Sequence, residues 1–477
     1  MSMLDFGIQS KSNLIAQLLQ VVGTEGVITG ESDKRAYEID WLNKWSGHSS
    51  LVVRPANTQQ TAEVMRICHA NRTPVVVQGG NTGMSGGATP DDSGAQVVLS
   101  MTRMNTIREV DSFNNTITVE SGVLLAHIQE EAERNNRFFP LSLGSEGSCT
   151  IGGNLATNAG GVAVLRYGNT RELTLGIEVV LPDGRIWNGL RALRKDNTGY
   201  DLRDLFIGSE GTLGVITAAV LKLHPLPTAR STAWVGAKDI QSLVRLIDAC
   251  RSRCGERLCA FEMMTHESVA LVLQHVTDVS YPLTSDHPVH ALIELADMNQ
   301  EGLANMLEST LEEALDNGDI SDAVISASLR QRQNFWKIRE GISQAQVRAG
   351  KTIKHDIALP ISAISDFVSA ATAAIGKEQS NARIINFGHI GDGNLHFNVL
   401  MPAETDYATM TRNTASLNRV VHDLVHQANG SISAEHGVGQ LRRDELRHYK
   451  SAVELDLMMC IKQSLDPHQI MNPGKLI

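Results

Sequence analysis

A surplus of basic residues is absent from this sequence: 42 Lys and Arg stand against 53 Asp and Glu, a formal net charge of −11. Phosphate backbones are bound by basic surfaces, so nucleic acid is excluded as the main partner. An anionic small molecule is not excluded, because a few cations inside a cleft set the local field there. Cysteine is also scarce, six in 477 residues, which is no disulfide framework and points to reduced intracellular thiols. Cys250, Cys254 and Cys259 are the most closely spaced. The first two stand one helical turn apart in an amphipathic run with no fourth ligand nearby, so buried thiols are expected rather than an iron–sulfur cluster. No apolar run approaches the roughly 18 residues needed to span a bilayer, so no integral membrane segment is expected. Met1–Ser10 carries Asp5 and neither Lys nor Arg, unlike a secretory or transit leader, and a cytoplasmic location is the expectation. Internal repeats and low-complexity segments are missing too.

What is present is a globular composition, 42% hydrophobic and 20% charged, in a chain long enough for two or three domains. Apolar spacing predicts helices over Ser12–Val22 and Thr58–Asn71, the second with Asn57 and Gln60 spaced like a capping box. Short β-type runs follow at 74–77, 96–101 and 116–120, then a helix over 124–135 and a strand over 176–181. His224-Pro225-Leu226-Pro227 is rigid and extended and marks the expected boundary between domains 1–227 and 228–477. Beyond it, longer helices (240–253, 302–316, 361–375, 409–427, 453–465) alternate with strands. The fold class is α+β, finishing in a helical part.

Three glycine-rich segments interrupt the first domain. Gln78-Gly79-Gly80-Asn81-Thr82-Gly83-Met84-Ser85-Gly86-Gly87 follows a strand but precedes another strand, not the helix that a Rossmann unit requires. With no helix dipole at hand, the loop's own N–H groups must form any anion-binding concavity. The second segment runs from Pro140 through Gly144, Ser145, Ser148, Cys149, Ile151, Gly152 and Asn154 to Asn158 and Gly161. It is too glycine-rich for a strong helix or strand, and a long mid-domain loop of this kind is usually functional. The third, Gly208–Thr217, repeats the theme before a strand. Together they indicate a large phosphorylated cofactor.

On these segments the first part of the chain resembles the FAD-binding (PCMH-type) domain of the vanillyl-alcohol oxidase / p-cresol methylhydroxylase superfamily. The second part resembles the FAD-linked oxidase C-terminal domain that accompanies it in D-lactate and D-2-hydroxyglutarate dehydrogenases. The resemblance covers roughly residues 51–477. It implies that Gln78, Gly79, Gly80, Asn81, Thr82, Gly83 and Ser85 hold the FAD pyrophosphate. It also implies that Gly144, Ser145, Ser148, Ile151, Gly152, Asn154, Asn158 and Gly161 line the cofactor, with Ile216 near its ring system. The first loop holds no His, and Cys149 lies in a string that relatives carry without a covalent bond, so non-covalent FAD is expected.

The second domain carries Gly388-His389-Ile390-Gly391-Asp392-Gly393-Asn394-Leu395-His396-Phe397-Asn398. Asp392-Gly393 is a turn between two strand-like runs, which would bring His389 and His396 together. Glu435 and His436 follow downstream. Histidines near turns often only cap carbonyls, but two imidazoles and a carboxylate with an open position suit a catalytic divalent metal, Zn²⁺ or Mn²⁺. His422 and His426 have helical i, i+4 spacing and are expected to be a surface pair. The resemblance implies the first choice: His389, His396 and Glu435 match the metal ligands of the 2-hydroxyglutarate dehydrogenase group, and His436 its catalytic histidine. In that chemistry the substrate hydroxyl is acidified by the metal, His436 accepts its proton, and hydride passes from C2 to flavin N5.

A hydroxy acid needs a cation for its carboxylate, and Arg339 and Lys354 are candidates. The resemblance places Arg339, Ser343, Lys354, Asn398 and His436 at substrate-binding positions, with Ser343 where a threonine is frequent. The expected activity is FAD-dependent oxidation of D-2-hydroxyglutarate or a similar D-2-hydroxy dicarboxylate. The alternatives are a D-lactate or glycolate dehydrogenase, or a non-catalytic FAD-fold subunit, which would be expected to lose these histidines. The expected partners are an electron acceptor, such as an electron-transfer flavoprotein or a quinone, and a second copy in a homodimer.

Overall fold

The computed structural model describes residues 3–299 and 301–477. Its contacts divide the chain into two units, Met1–Gly160, Asn169–Pro225 and Glu435–Ile477 in the first, Gly161–Gly168 and Leu226–Ala434 in the second. This differs from a simple division at residue 227, since Glu435–Ile477 packs with the first unit and Gly161–Gly168 with the second. The C-terminal segment is held by main-chain pairing that no local pattern announces: Val75 N–H donates to Ile470 O (2.7 Å) and Asn472 N–H to Val75 O (2.8 Å). Among the described residues no helix is long and apolar enough to cross a membrane.

In the first unit, Leu51–Val53, Val97–Ser100 and Val75–Gln78 lie parallel, and Val27–Ile28 adds an antiparallel edge. These strands are continuous Val and Leu runs because both faces are covered. Leu51, Val53, Val75, Val97 and Leu99 pack against Leu14 and Leu18 of the helix Met3–Val22 and against Val64, Met65 and Cys68 of the helix Thr58–Ala70. The latter helix starts where expected: Asn57 Oδ1 accepts from Gln60 N–H (2.9 Å), and Gln60 Oε1 accepts from Ala56 N–H (2.8 Å). A five-stranded antiparallel sheet follows, with Thr116–Glu120 and Thr174–Val180 flanking Val215–Lys222.

One expectation for the second glycine segment is corrected here. Residues Ile151–Thr157 form a helix, ended by Asn158 in the left-handed region (φ 51°). Its two glycines disfavour helix, but Ile151 and Leu155, one turn apart, are buried on one face, and that burial outweighs the propensity.

The second unit is built on an eight-stranded sheet, antiparallel throughout its pairings. Side chains alternate across it as a period-two strand requires. Phe261, Met263, Leu395, Phe397 and Val399 join the core beneath the helices Ile240–Cys254, Leu303–Asp316, Ile364–Glu378 and Tyr407–Gln427. Trp234, Met264, Leu292 and Leu400 face the opposite core, under His266–His275 and Leu329–Ala349. The intervening polar residues Glu262, His396 and Asn398 therefore point to this second face. Cys250 and Cys254 pack in the first core. His422 is not on the surface as expected: it is 2% exposed and meets His355 edge to face at 5.6 Å. It adjoins Val421, whose apolar face is buried, whereas His426 is exposed.

Candidate functional site

In the first unit the first two glycine segments border a cavity of about 440 Å³, lined in part by Tyr37, Gln78, Gly79, Gly80, Asn81, Thr102, Asn105, Gly122, Ser148 and Thr150. The buried Gln78 amide closes the first loop by donating to Tyr37 O (3.0 Å) and Ala88 O (2.8 Å), and Asn81 donates to Ile39 O (2.8 Å). Gly80 has to be glycine for a reason of space: a Cβ there would sit 2.1 Å from Ser148 O. The first and second glycine segments are thus in backbone contact. Thr150 Oγ1, Ser121 Oγ and Asn154 Oδ1 are buried with no hydrogen-bond partner among the described residues. Of these three residues Thr150 lines the cavity; an unmet buried polar atom costs about 1–3 kcal/mol, so a ligand with hydrogen-bonding groups fits there, as a dinucleotide does. Burial raises the Cys149 thiol above its ordinary value, which keeps it protonated and unreactive.

Of the other residues expected at the cofactor, Gly83 is exposed and Gly144 has open space around it. Ile216 is buried in the strand Val215–Lys222, and Gly161 belongs to the second unit. The Ser85 hydroxyl faces the His436 and Gly437 carbonyls, 3.1 Å from each. Glu210, from the third glycine segment, accepts from Val438 and Gly439 N–H (2.7 Å each). Burial pushes its carboxyl up, and those two N–H groups pull against it. Consecutive N–H groups around an anion form a nest, and here the nest of Val438 and Gly439 around the Glu210 carboxylate pins the turn that carries His436.

In the second unit, Arg383–Gly388 and Asn394–Leu400 form the expected hairpin, with Phe387 opposite His396. The turn is closed by Asp392 N–H to His389 O (3.0 Å). The His389 and His396 rings lie 5.8 Å apart, nearly perpendicular. His389 Nδ1 is 2.6 Å from Glu262 Oε1. With that proton on Nδ1, it is Nε2 that carries the lone pair a metal bond would use. Burial pushes the Glu262 carboxyl up, but the adjoining His389 and Arg339 outweigh this and bring it down to about 2. Arg339 Nε and Nη2 each lie 2.7 Å from Glu262 Oε2, and the guanidinium sits over the Phe387 ring at 4.9 Å.

Lys354 is half-buried between two short strands, and desolvation lowers its pKa. Asn398 is buried; its Oδ1 accepts from His355 N–H (3.1 Å) and its amide donates to Gln346 Oε1 (3.0 Å). Ser343, one turn beyond Arg339, is exposed. Ala434, the last residue of this unit, donates its N–H to Asp356 O (3.2 Å), and Asp356 stands opposite His396 in the ladder. Glu435 and His436 continue the chain from that point, one and two peptide bonds on.

Sequence reasoning missed Glu262, Glu210 and Asp356, and on the cofactor side Tyr37, Thr102, Asn105, Gly122 and Thr150. Glu262 did leave a signal. It is the one charge in the apolar run Leu258–Thr265, and a buried lone carboxylate requires a partner.

Residues 49–189 match the family described as FAD binding domain, and residues 226–476 that described as FAD linked oxidases, C-terminal domain. The chain is 39% identical over 474 residues to "D-2-hydroxyglutarate dehydrogenase, mitochondrial" of Bos taurus, covering 99% of this chain and 85% of that one. It is 36% identical over 463 residues to the D-2-hydroxyglutarate dehydrogenase of Stutzerimonas stutzeri, covering 97% and 98%. A crystal structure of p-cresol methylhydroxylase with substrate bound superposes with a TM-score of 0.78 at 16% identity, covering 98% of this chain and 97% of that one, a likeness of fold alone.

Proposed function

This chain belongs to the FAD-linked oxidases, and from that premise we propose that it oxidises D-2-hydroxyglutarate, or a similar D-2-hydroxy dicarboxylate, to the 2-oxo acid. The observation that carries the reading is the gathering of His389, His396, Arg339 and Asn398 on one face of the second unit's sheet. The strands and the helix Leu329–Ala349 supply them. Non-covalent FAD would supply the hydride acceptor, and a divalent cation, Zn²⁺ or Mn²⁺, would supply the charge that lowers the pKa of the substrate hydroxyl.

His389, with its Nδ1 engaged by Glu262, would hold that cation together with His396 and Glu435. The donor set of two imidazoles and one carboxylate suits such an ion and leaves a position for substrate. An imidazole nitrogen of His436 takes the hydroxyl proton. Gln78–Gly83 carry the pyrophosphate with main-chain N–H groups, while Ser85 acts by holding the His436 turn. Arg339 and Lys354 bind the carboxylates. Lys354 has the better claim on the distal one, since it is half-buried and has no hydrogen bond or ion pair among the described residues. Asn398 has one amide hydrogen left for the substrate after its bond to Gln346, and Ser343 offers a hydroxyl beside Arg339. Electrons leave to a separate acceptor, an electron-transfer flavoprotein or a quinone.

The test is anaerobic mixing of the yellow holoenzyme with D-2-hydroxyglutarate, D-lactate and glycolate in turn, following loss of flavin absorbance. The dicarboxylate is expected to bleach the flavin fastest at equal concentration. Bleaching by lactate or glycolate alone would transfer the assignment to a monocarboxylate dehydrogenase.

A further inference from the structure

Glu262 is fully buried, and its two carboxylate oxygens meet two residues assigned to different tasks. Oε1 is 2.6 Å from His389 Nδ1, and Oε2 is 2.7 Å from both Nε and Nη2 of Arg339. We propose that Glu262 is a positioning residue that couples the carboxylate-binding Arg339 to the metal ligand His389. The inference rests on the reading of His389 and Arg339 given above and adds a link between them.

Each end of the bridge is constrained. The bond to Oε1 sets the tautomer and ring plane of His389, and such outer carboxylates raise the basicity of a ligating imidazole. The bond to Oε2 occupies the Nε–Nη2 edge of Arg339, so the Nη1 side is the edge left for a substrate carboxylate. Stacking on Phe387 at 4.9 Å restricts the guanidinium to movement in its own plane. A carboxylate drawn to Arg339 therefore pulls on Glu262, and Glu262 holds His389. The strand Leu258–Thr265 is suited to transmit this, because Phe261, Met263 and Met264 on either side of Glu262 are packed in the two cores.

Glu262→Gln tests the link, since the isosteric carboxamide can accept from only one partner and turns its NH₂ toward the other. Zinc affinity, measured in the holoenzyme by competition with a chromophoric chelator, is expected to fall about 10- to 100-fold. Flavin content stays at the wild-type level, KM rises and kcat falls. In Glu262→Gln with Arg339→Leu the opposing donor is gone and the carboxamide oxygen can turn wholly to His389. Zinc affinity then recovers by at least about fivefold while KM stays high. Wild-type zinc affinity in Glu262→Gln, or no recovery in the double variant, overturns the proposal and leaves Glu262 a packing residue. Should Glu262→Gln not fold, Arg339→Leu alone decides: a change in zinc affinity of about fivefold supports the coupling, and an unchanged affinity refutes it. His389→Ala separates the two readings, because unaltered zinc binding there removes the metal site itself and the bridge with it.

Discussion

The Ser85 hydroxyl donates toward the main-chain carbonyl of His436 at 3.1 Å, although 351 residues separate them. The glycine loop that lies at the cofactor cavity thereby also fixes the backbone of the proposed base. Ser85→Ala removes a bond worth about 1 kcal/mol. We expect FAD to be retained and the rate of flavin reduction to drop several-fold. Gly439→Ala should be more severe. Its φ is +50° and a Cβ would lie 2.2 Å from Ser85 O, so a loss of about 1–3 kcal/mol in unfolding free energy is expected. Wild-type reduction rates in Ser85→Ala would show that the contact has no bearing on His436.

Space at Gly80 and at Gly147 predicts opposite outcomes in neighbouring loops. Alanine at Gly80 meets Ser148 O at 2.1 Å, whereas nothing lies within 4 Å of a Cβ at Gly147. Gly80→Ala is expected to purify with little flavin absorbance and Gly147→Ala with the full amount. Equal flavin content in the two variants would contradict the assignment of this cavity.

Removal of the metal should separate binding from chemistry. Dialysis against a chelator is expected to leave the protein yellow, because the sites proposed for FAD and for the cation use different segments, and to abolish flavin reduction by substrate. Zn²⁺ or Mn²⁺ restores it. His396→Ala should behave as the chelated enzyme and gain nothing from added metal. Substantial reduction by either preparation argues against a metal-dependent step.

His290 predicts an acid-sensitive stability. Burial first, then the neighbouring His287 and His266, depress its pKa from 6.5 to about 3, and its Nδ1 faces Trp234 Nε1–H at 3.3 Å. Between pH 6.5 and 3 the unfolded chain binds a proton that the folded chain refuses. The stability is therefore complete above pH 6.5 and declines as pH falls toward 3. His290→Gln should flatten that decline in urea titrations across the window. An unchanged slope would show that other groups carry it.

Much of this organisation was legible in the residues. The hairpin around Asp392-Gly393, the Asn57 cap and the strand before the first glycine loop rest on local rules of turn chemistry and period, and each has its expected form. The helix at Ile151–Thr157 was not legible, because its stability comes from burial of Ile151 and Leu155 and not from propensity. His422 was misjudged for the same reason.

Sequence alone determined that glycine had to stand at the loops and that two imidazoles had to meet across a hairpin, because backbone geometry and short-range connectivity leave little else. Only the tertiary structure decided which groups serve those residues. Glu262 reaches His389 and Arg339 from a strand and a helix far apart in the chain, and Glu210 and Ser85 hold the turn after His436 across hundreds of residues. Such partnerships depend on how sheets and helices are stacked. A buried carboxylate in the sequence says that a partner must exist, but not which one.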